Sequence, residues 1–411
     1  MKLVLVSQWY PPEQAPIGYM VRELAQAMIA RGHEVTVITG FPNHPSGNVF
    51  GGYRKQWCLK EKVDGIDIWR MYLYTAPNPG KLSRILTFLS FTFTSAWALL
   101  AHSRYDLIFA VFQPLSVGVT LPLIAMLKRS RLILNIQDLH PDVPIELGLI
   151  RNPLLVRMLR WVERFGYCSA NGLAVICEQF KTHCVARGAK NVDVAVIPNW
   201  IDLDEIVPGD RNNQFKESLG LSPEHVVILY AGTVGLVSGA EIALHAASLL
   251  EKELPEVRLV FVGEGPALGG LKEYAQQNGM ANVLFAPFQP REKLSEVQAI
   301  ADISLVSLRR GKGRASVPSK VLGYMAAARP VIASVDGDSE TAALVVQSNC
   351  GMVVEPGNNA ALAGAIVHLI GDRQQMIRLG SNGRHFLEAN YRKEKITGQY
   401  VDFFEDIVGR G

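Results

Sequence analysis

Arg309-Arg310-Gly311-Lys312-Gly313-Arg314 sets four cations in six residues directly after the apolar run ending at Leu308. The surroundings sharpen the contrast, because residues 201–411 hold 20 Lys and Arg against 25 Asp and Glu. Such a loop calls for an anion. Pro318-Ser319-Lys320 then opens a helix, with Ser319 as its expected N-cap and Lys320 in the first turn. A cation there opposes the helix dipole at a cost of ~0.3–1 kcal/mol, and a bound phosphate or diphosphate would remove the conflict. A solvated loop with an unoptimised lysine is the plain alternative. Gly232-Thr233-Val234-Gly235 and Gly263-Glu264-Gly265-Pro266 each follow an apolar run. Glycines at a strand-to-helix turn either admit a ligand close to the backbone or serve packing alone. Neither segment completes G-x-G-x-x-G with its acidic ribose partner, so a dinucleotide is not indicated.

The elements that must position these residues are legible as alternating runs. KLVLVS, HEVTVIT, YDLIFAVF, RLILNIQ and GLAVI punctuate the first half, with a helix expected over Tyr19 to Arg31. VVILYAG, VRLVFVG, NVLFAP, DISLVSL, RPVIASV and GMVVEP repeat the grammar in the second half. Unbroken β-branched runs separated by crossover-length segments predict parallel sheets covered on both faces. The fold class is therefore α/β, with two facing Rossmann-like doubly wound domains, 1–200 and 201–390. The segment 391–411 is expected to be a helix returning to the first domain. Ligands of such folds bind beyond the carboxyl ends of the strands, where the glycine and cation segments fall.

Other chemistries are disfavoured. The five cysteines form no C-x-x-C pair and the nine histidines no H-x-x-x-H, so no disulfide framework and no metal site is expected. Met1-Lys2 runs straight into Leu3-Val4-Leu5-Val6 without a cleavage site, which predicts a cytoplasmic protein. The uncharged stretches Ile85 to Ser103 and Leu107 to Leu127 carry hydroxyls and prolines and read as buried or interfacial rather than spanning. Residues 1–200 hold 21 Lys and Arg against 13 Asp and Glu. Lys55, Lys60, Lys62, Lys81, Arg84, Arg104, Lys128, Arg129 and Arg131 flank the apolar stretches, a pattern suited to an anionic membrane surface or simply to a solvated face. No nucleic-acid module is recognisable.

A set of short motifs spans nearly the whole chain: Tyr10-Pro11-Pro12 with Gly18, Arg31-Gly32-His33-Glu34-Val35, Pro42-Asn43-His44-Pro45, Asp138 to Pro141, Pro198-Asn199-Trp200-Ile201-Asp202, Gly263-Glu264-Gly265-Pro266 and Pro318-Ser319-Lys320 to Pro330. In these the sequence resembles the retaining glycosyltransferases of family 4, of GT-B fold, and especially bacterial exopolysaccharide members of the colanic-acid type. The resemblance implies a nucleoside-diphosphate sugar in the second domain. Its base would lie near Phe288 and Gln289, its diphosphate near Ser319 and Lys320, and Gly18 would approach from the other domain. It also implies an acceptor against the first domain, and no metal or other cofactor.

The sequence departs from the family pattern at defined places. Ala315 and Gly323 stand where the family carries its E-x7-E pair, and Thr233 and Ser238 where it carries an Arg and a Lys. Lys312 and its neighbours are candidates for the phosphate charge, and Asp338 or Glu340 for the carboxylate. Gln137-Asp138 occupies the place of a family histidine, which leaves Asp138, His140 and Glu146 as catalytic candidates. Asp138 could instead cap a turn, His140 could pack against Pro141, and Glu146 could be solvated. The expected activity is transfer of a hexosyl group from a UDP-sugar to a lipid-linked or oligosaccharide acceptor in polysaccharide biosynthesis, peripheral to the inner membrane face. A nucleotide-sugar epimerase of the same architecture and an inactive sugar-nucleotide-binding partner are the alternatives.

Overall fold

Apolar runs of five or six residues are short for helices and long enough for strands buried on both faces, and the chain uses them so. The computed structural model describes residues 1–13, 15–44, 46–77, 80–313 and 317–410, with the backbone alone at Lys81. They fall into two compact units, Met1–Pro198 with Glu394–Gly411, and Asn199–Lys393.

The first unit carries strands β1 (Lys2–Val6), β2 (Glu34–Gly40), β3 (Cys58–Val63), β4 (Ile66–Met71), β5 (Leu107–Val111), β6 (Arg131–Ile136), β7 (Gly172–Val175) and β8 (Asp193–Val196). Their order is β3-β4-β2-β1-β5-β6-β7-β8, parallel throughout except for β3 against β4. That edge hairpin is absent from the sequence reading, although Asp64-Gly65 supplies the turn, both residues at positive φ (54° and 80°). β8, four residues long, was also not anticipated. The first helix starts at Pro16, earlier than its apolar spacing suggests, because proline suits the first helical position. The last helix, Lys393–Gly409, covers the sheet of this unit. Its Tyr400 hydroxyl accepts a 2.9 Å bond from Asn135 Nδ2, and Phe404 packs on Phe109 with ring centroids 5.0 Å apart.

The second unit carries β9 (Val226–Ala231), β10 (Val257–Val262), β11 (Val283–Ala286), β12 (Ile303–Ser307), β13 (Val331–Ser334) and β14 (Gly351–Val354). The order β11-β10-β9-β12-β13-β14 is all parallel and reverses direction between β9 and β12. Alternate residues feed two core layers, with Val227, Leu229 and Ala231 on one side of β9 and Ile228 and Tyr230 on the other. The buried Tyr324 hydroxyl fixes the reversal point. It accepts from Ala231 N at 2.9 Å and lies 3.2 Å from both the Ala231 and Leu305 carbonyl oxygens.

Candidate functional site

In a doubly wound sheet the strand ends beside the reversal point leave a crevice, since the crossover helices diverge there. In the second unit the candidate donor residues follow the carboxyl ends of the strands: Gly232 and Thr233 after β9 and Lys312 after β12 beside the reversal, Gly263 after β10, Phe288 and Gln289 after β11, and Asp338 and Glu340 after β13. Ser319 and Lys320 begin the short helix Lys320–Ala326 between β12 and β13.

The two glycine segments interlock. Gly232 N donates to Val262 O at 2.8 Å and Val234 N to Glu264 O at 2.9 Å, extending the ladder past the strand ends. A Cβ on Gly263 (φ 149°) would sit 2.2 Å from Gly232 O, and one on Gly265 (φ 151°) 2.3 Å from Val234 O. Packing therefore explains the absence of side chains at Gly263 and Gly265. Gly232 differs, since a Cβ there would meet only the Lys320 side chain, 3.6 Å from its Cε. Lys320 Nζ stands 3.6 Å from the centre of the Tyr230 ring and donates to Thr233 O at 3.4 Å. No carboxylate pairs with it among the described residues, and desolvation lowers its pKa to about 7. Taken over the whole residue, Lys320 is half-buried.

Several expectations need correction. Arg309 pairs with Glu241 at 2.9 Å and Arg310 with Glu355 at 2.6 Å, so two of the loop's cations are already balanced. Gly311 N donates to Asp336 Oδ2 at 2.7 Å and Lys312 N to Arg309 O at 3.0 Å, which folds the loop onto the end of β13. Arg314 and Ala315 lie outside the described residues, as does Pro45. Ser319 precedes its helix in helical conformation and its side chain makes no capping bond. Gly323 is buried within that helix, and a Cβ there would face Gln298 Nε2 at 3.4 Å. Phe288 is exposed and Gln289 Nε2 bonds to Pro287 O at 2.9 Å. Asp338 and Glu340 flank Ser339, whose Oγ caps the helix Glu340–Ser348 through Ala342 N at 3.2 Å.

In the first unit Gly18 follows β1, while Asp138, His140 and Glu146 follow β6. Gly18 packs on the backbone of Tyr10, where an added Cβ would lie 3.1 Å from Tyr10 Cα and N. That contact within its own unit accounts for the glycine. His140 N donates to Asp138 O at 3.1 Å, and the ring's Nε2 is buried without a hydrogen-bond partner among the described residues. Burial lowers the pKa of His140 despite the Asp138 charge. Glu146 is exposed. Beneath this loop Asp142 meets Arg160 at 3.1 Å and His183 at 3.8 Å, and His183 Nε2 reaches the buried Glu163 at 2.9 Å. Glu163, His183 and the buried Glu13 and Arg70 escaped sequence reasoning, because buried polar contacts made through tertiary structure leave no periodic signal. Among the described residues no three His, Cys, Asp or Glu side chains are grouped as a metal would need.

Residues 17–200 match the family described as glycosyl transferase 4-like domain, and residues 211–386 that described as glycosyl transferases group 1. The chain belongs to the GT4-type glycosyltransferases. This glycosyltransferase is 28% identical over 419 residues to the putative colanic acid biosynthesis glycosyl transferase WcaI of Escherichia coli K12, covering 100% of both chains. Its two-domain, Rossmann-like GT-B fold is shared with sucrose-phosphate synthase of Thermosynechococcus elongatus, at a TM-score of 0.76 and 18% identity over 100% of both chains. Anabaena HepE, solved in complex with UDP-glucose, matches at 0.71 and 16% identity over 99% of this chain and 100% of its own.

The interlocked glycines of this glycosyltransferase yield a contrast between neighbours. Gly263→Ala must displace backbone and strain φ, a cost of roughly 3 kcal/mol. Its melting temperature should fall by about 6–12 °C. A Cβ on Gly235 meets nothing within 4 Å, so Gly235→Ala should stay within about ±0.5 kcal/mol of the parent in thermal unfolding.

Proposed function

We propose that this glycosyltransferase moves a hexosyl group, with retention, from a UDP-sugar to a lipid-linked or oligosaccharide acceptor in polysaccharide assembly. The observation that carries the reading is Lys320, an amine without a carboxylate partner among the described residues, beside Gly232 and Thr233 where the second sheet reverses. A diphosphate there would supply the missing counter-charge. The uridine would lie toward Phe288 and Gln289, and Lys312, Asp338 or Glu340 would contact the sugar side. The WcaI name, with its colanic acid biosynthesis, and the UDP-glucose bound to HepE support the class of pathway and donor.

The acceptor would lie over the strand ends of the first unit, among the loops after β1, β2 and β6, with Asp138, His140 and Glu146 as its polar contacts. Transfer would be a front-side displacement in which the departing diphosphate accepts the proton of the acceptor hydroxyl. Such a step asks for positioning and charge stabilisation, and in this reading Lys320 and backbone amides supply these without a metal or other cofactor.

We read the helix Lys81–Ala101 as the membrane contact from the cytoplasmic side. Leu82, Ile85, Leu89, Phe93 and Leu100 are each 45–70% exposed, and the window Leu82–Ala101 is long and apolar enough to cross a membrane yet only 33% buried. Of the two readings offered by the sequence, buried or interfacial, the exposed side of this helix suits the interfacial one. Trp57 stands edge-on to Phe93 and Trp97, with centroids 6.1 and 5.5 Å apart, an exposed aromatic cluster of the kind that anchors at an interface. Lys128, which bonds the carbonyls of Leu100 and His102 at 2.8 Å, adds positive charge beside the helix end.

Two measurements test these proposals. Calorimetry with UDP should find Lys320→Ala weaker than the parent by roughly tenfold to hundredfold at pH 7. The free amine titrates near 7 and a diphosphate favours its charged form, so the parent's affinity should fall as pH rises from 7.5 to 9 while the variant stays flat. Equal affinity or equal slopes would remove Lys320 from the donor site. For the membrane, sedimentation with anionic vesicles should be reversed by salt and reduced in Phe93→Ser/Trp97→Ser, and equal partitioning onto neutral vesicles would contradict the electrostatic part.

A further inference from the structure

Glu13 is fully buried in the loop after β1. Its Oε1 accepts from the backbone N–H of Asn43 and of His44, both at 2.9 Å, and from Asn43 Nδ2 at 3.4 Å. Its Oε2 accepts from Tyr10 N at 3.4 Å. One carboxylate thus joins the loop after β1 to the loop after β2. The Tyr10 end matters because Gly18, at the start of the helix Pro16–Ala30, rests on the Tyr10 backbone. Arg70 of β4, 2% exposed, supports the same loop by donating to Pro11 O at 2.6 Å.

We propose that Glu13 is a positioning residue whose ionised carboxylate clasps the two loops in the arrangement that receives the acceptor, and whose protonation opens the clasp at Tyr10. The consequence for turnover rests on the reading of these loops as the acceptor side. The proton belongs on Oε2, which among the described residues holds only the single long bond, while Oε1 keeps both short ones as a carbonyl oxygen. As a hydroxyl, Oε2 would be a much weaker acceptor for the Tyr10 N–H than the carboxylate oxygen is, and the already long bond would be the one to open.

The surroundings set where this happens. Burial raises the Glu13 pKa from 4.5 to about 7, against the three backbone donors and the Arg70 charge, which lower it. Other ionisable groups nearby are His44 in the second loop, Tyr10, pushed up to about 12 by burial, Glu61 paired with Arg70, and Arg22 paired with Asp64. The sign for stability follows from the raised pKa. This group's contribution is full below about pH 4.5 and is lost as pH rises through about 7. Activity is expected to move the opposite way over the upper part of that window, rising as Glu13 ionises. A residue with a merely structural role would move both together.

Glu13→Gln keeps the Oε1 carbonyl and presents an amide to Tyr10, so it imitates the protonated form. At pH 8 its kcat/KM for acceptor should fall roughly 2- to 12-fold, the worth of one hydrogen bond, through KM rather than kcat. The parent's acid limb near pH 7 should vanish, calorimetric UDP affinity should not change, and the melting temperature should not drop. Hydrogen exchange at the Tyr10 amide should be faster in the variant than in the parent at pH 8 and equal at pH 6. Equal exchange at pH 8 overturns the clasp. Faster exchange with unaltered acceptor kinetics overturns the link to the acceptor side, and leaves the donor assignment, tested at Lys320, untouched. If the variant does not fold, the parent decides, and a kcat/KM profile without inflection between pH 6 and 8 overturns the proposal.

Discussion

A lysine amine shielded from water and given no carboxylate must either lose its proton or find an anion. Lys320 is held in that condition by the packing around it: the Tyr230 ring on one side, the Gly232 and Thr233 backbone on the other, and a helix whose Tyr324 locks β9 to β12 one turn further on. The neighbouring loops of the second unit pack around that place. Gly263 and Gly265 let the loops after β9 and β10 touch, so that the floor of the crevice is backbone rather than side chain. Arg309 and Arg310 are tied to Glu241 and Glu355, whereas Lys320 meets no carboxylate among the described residues.

The first unit holds a group of opposite sign. Glu13 is desolvated like Lys320, and both titrate near 7, one losing its charge as pH rises and the other gaining it. If donor binding uses the first and acceptor positioning the second, the two requirements overlap around neutrality, and a bell-shaped pH dependence follows without any group titrating in the reacting bonds. Burying each charge costs stability, a cost that protein folds carry at functional sites more often than elsewhere.

The parallel strands were legible because strands buried on both faces are written as continuous apolar runs. Of the strands, the β3–β4 hairpin escaped because Lys60, Glu61 and Lys62 break its pattern at a sheet edge, and β8 because four residues give too little periodicity. That the candidate donor residues from Gly232 to Glu340 follow strands was legible for a related reason, since in a parallel sheet every loop that follows a strand emerges at the same end, whereas Phe288 and Gln289 were named from the family resemblance alone. What the sequence could not reveal was which of these loop residues turn toward one another. Gly263 and Gly232 have equal standing as ligand-approach glycines in the sequence, and the structure shows that Gly263 is needed for packing, 2.2 Å from a Cβ to the Gly232 carbonyl, while Gly232 has room for a Cβ but a φ of 113° that itself favours glycine. Ser319 had the right type for a cap and the wrong backbone conformation. Glu13 gave no signal, since a single acid beside two prolines looks solvated until the loop after β2 closes over it.

The central claim is that the diphosphate of the donor sits against Lys320 where the second sheet reverses. A crystal structure with UDP tests this most directly. The account predicts a phosphate oxygen within hydrogen-bonding distance of Lys320 Nζ, with the uracil toward Phe288, whereas a nucleotide bound away from the ends of β9 and β12, or a diphosphate held by Arg309 and Arg310 with Lys320 still against Tyr230, would contradict it.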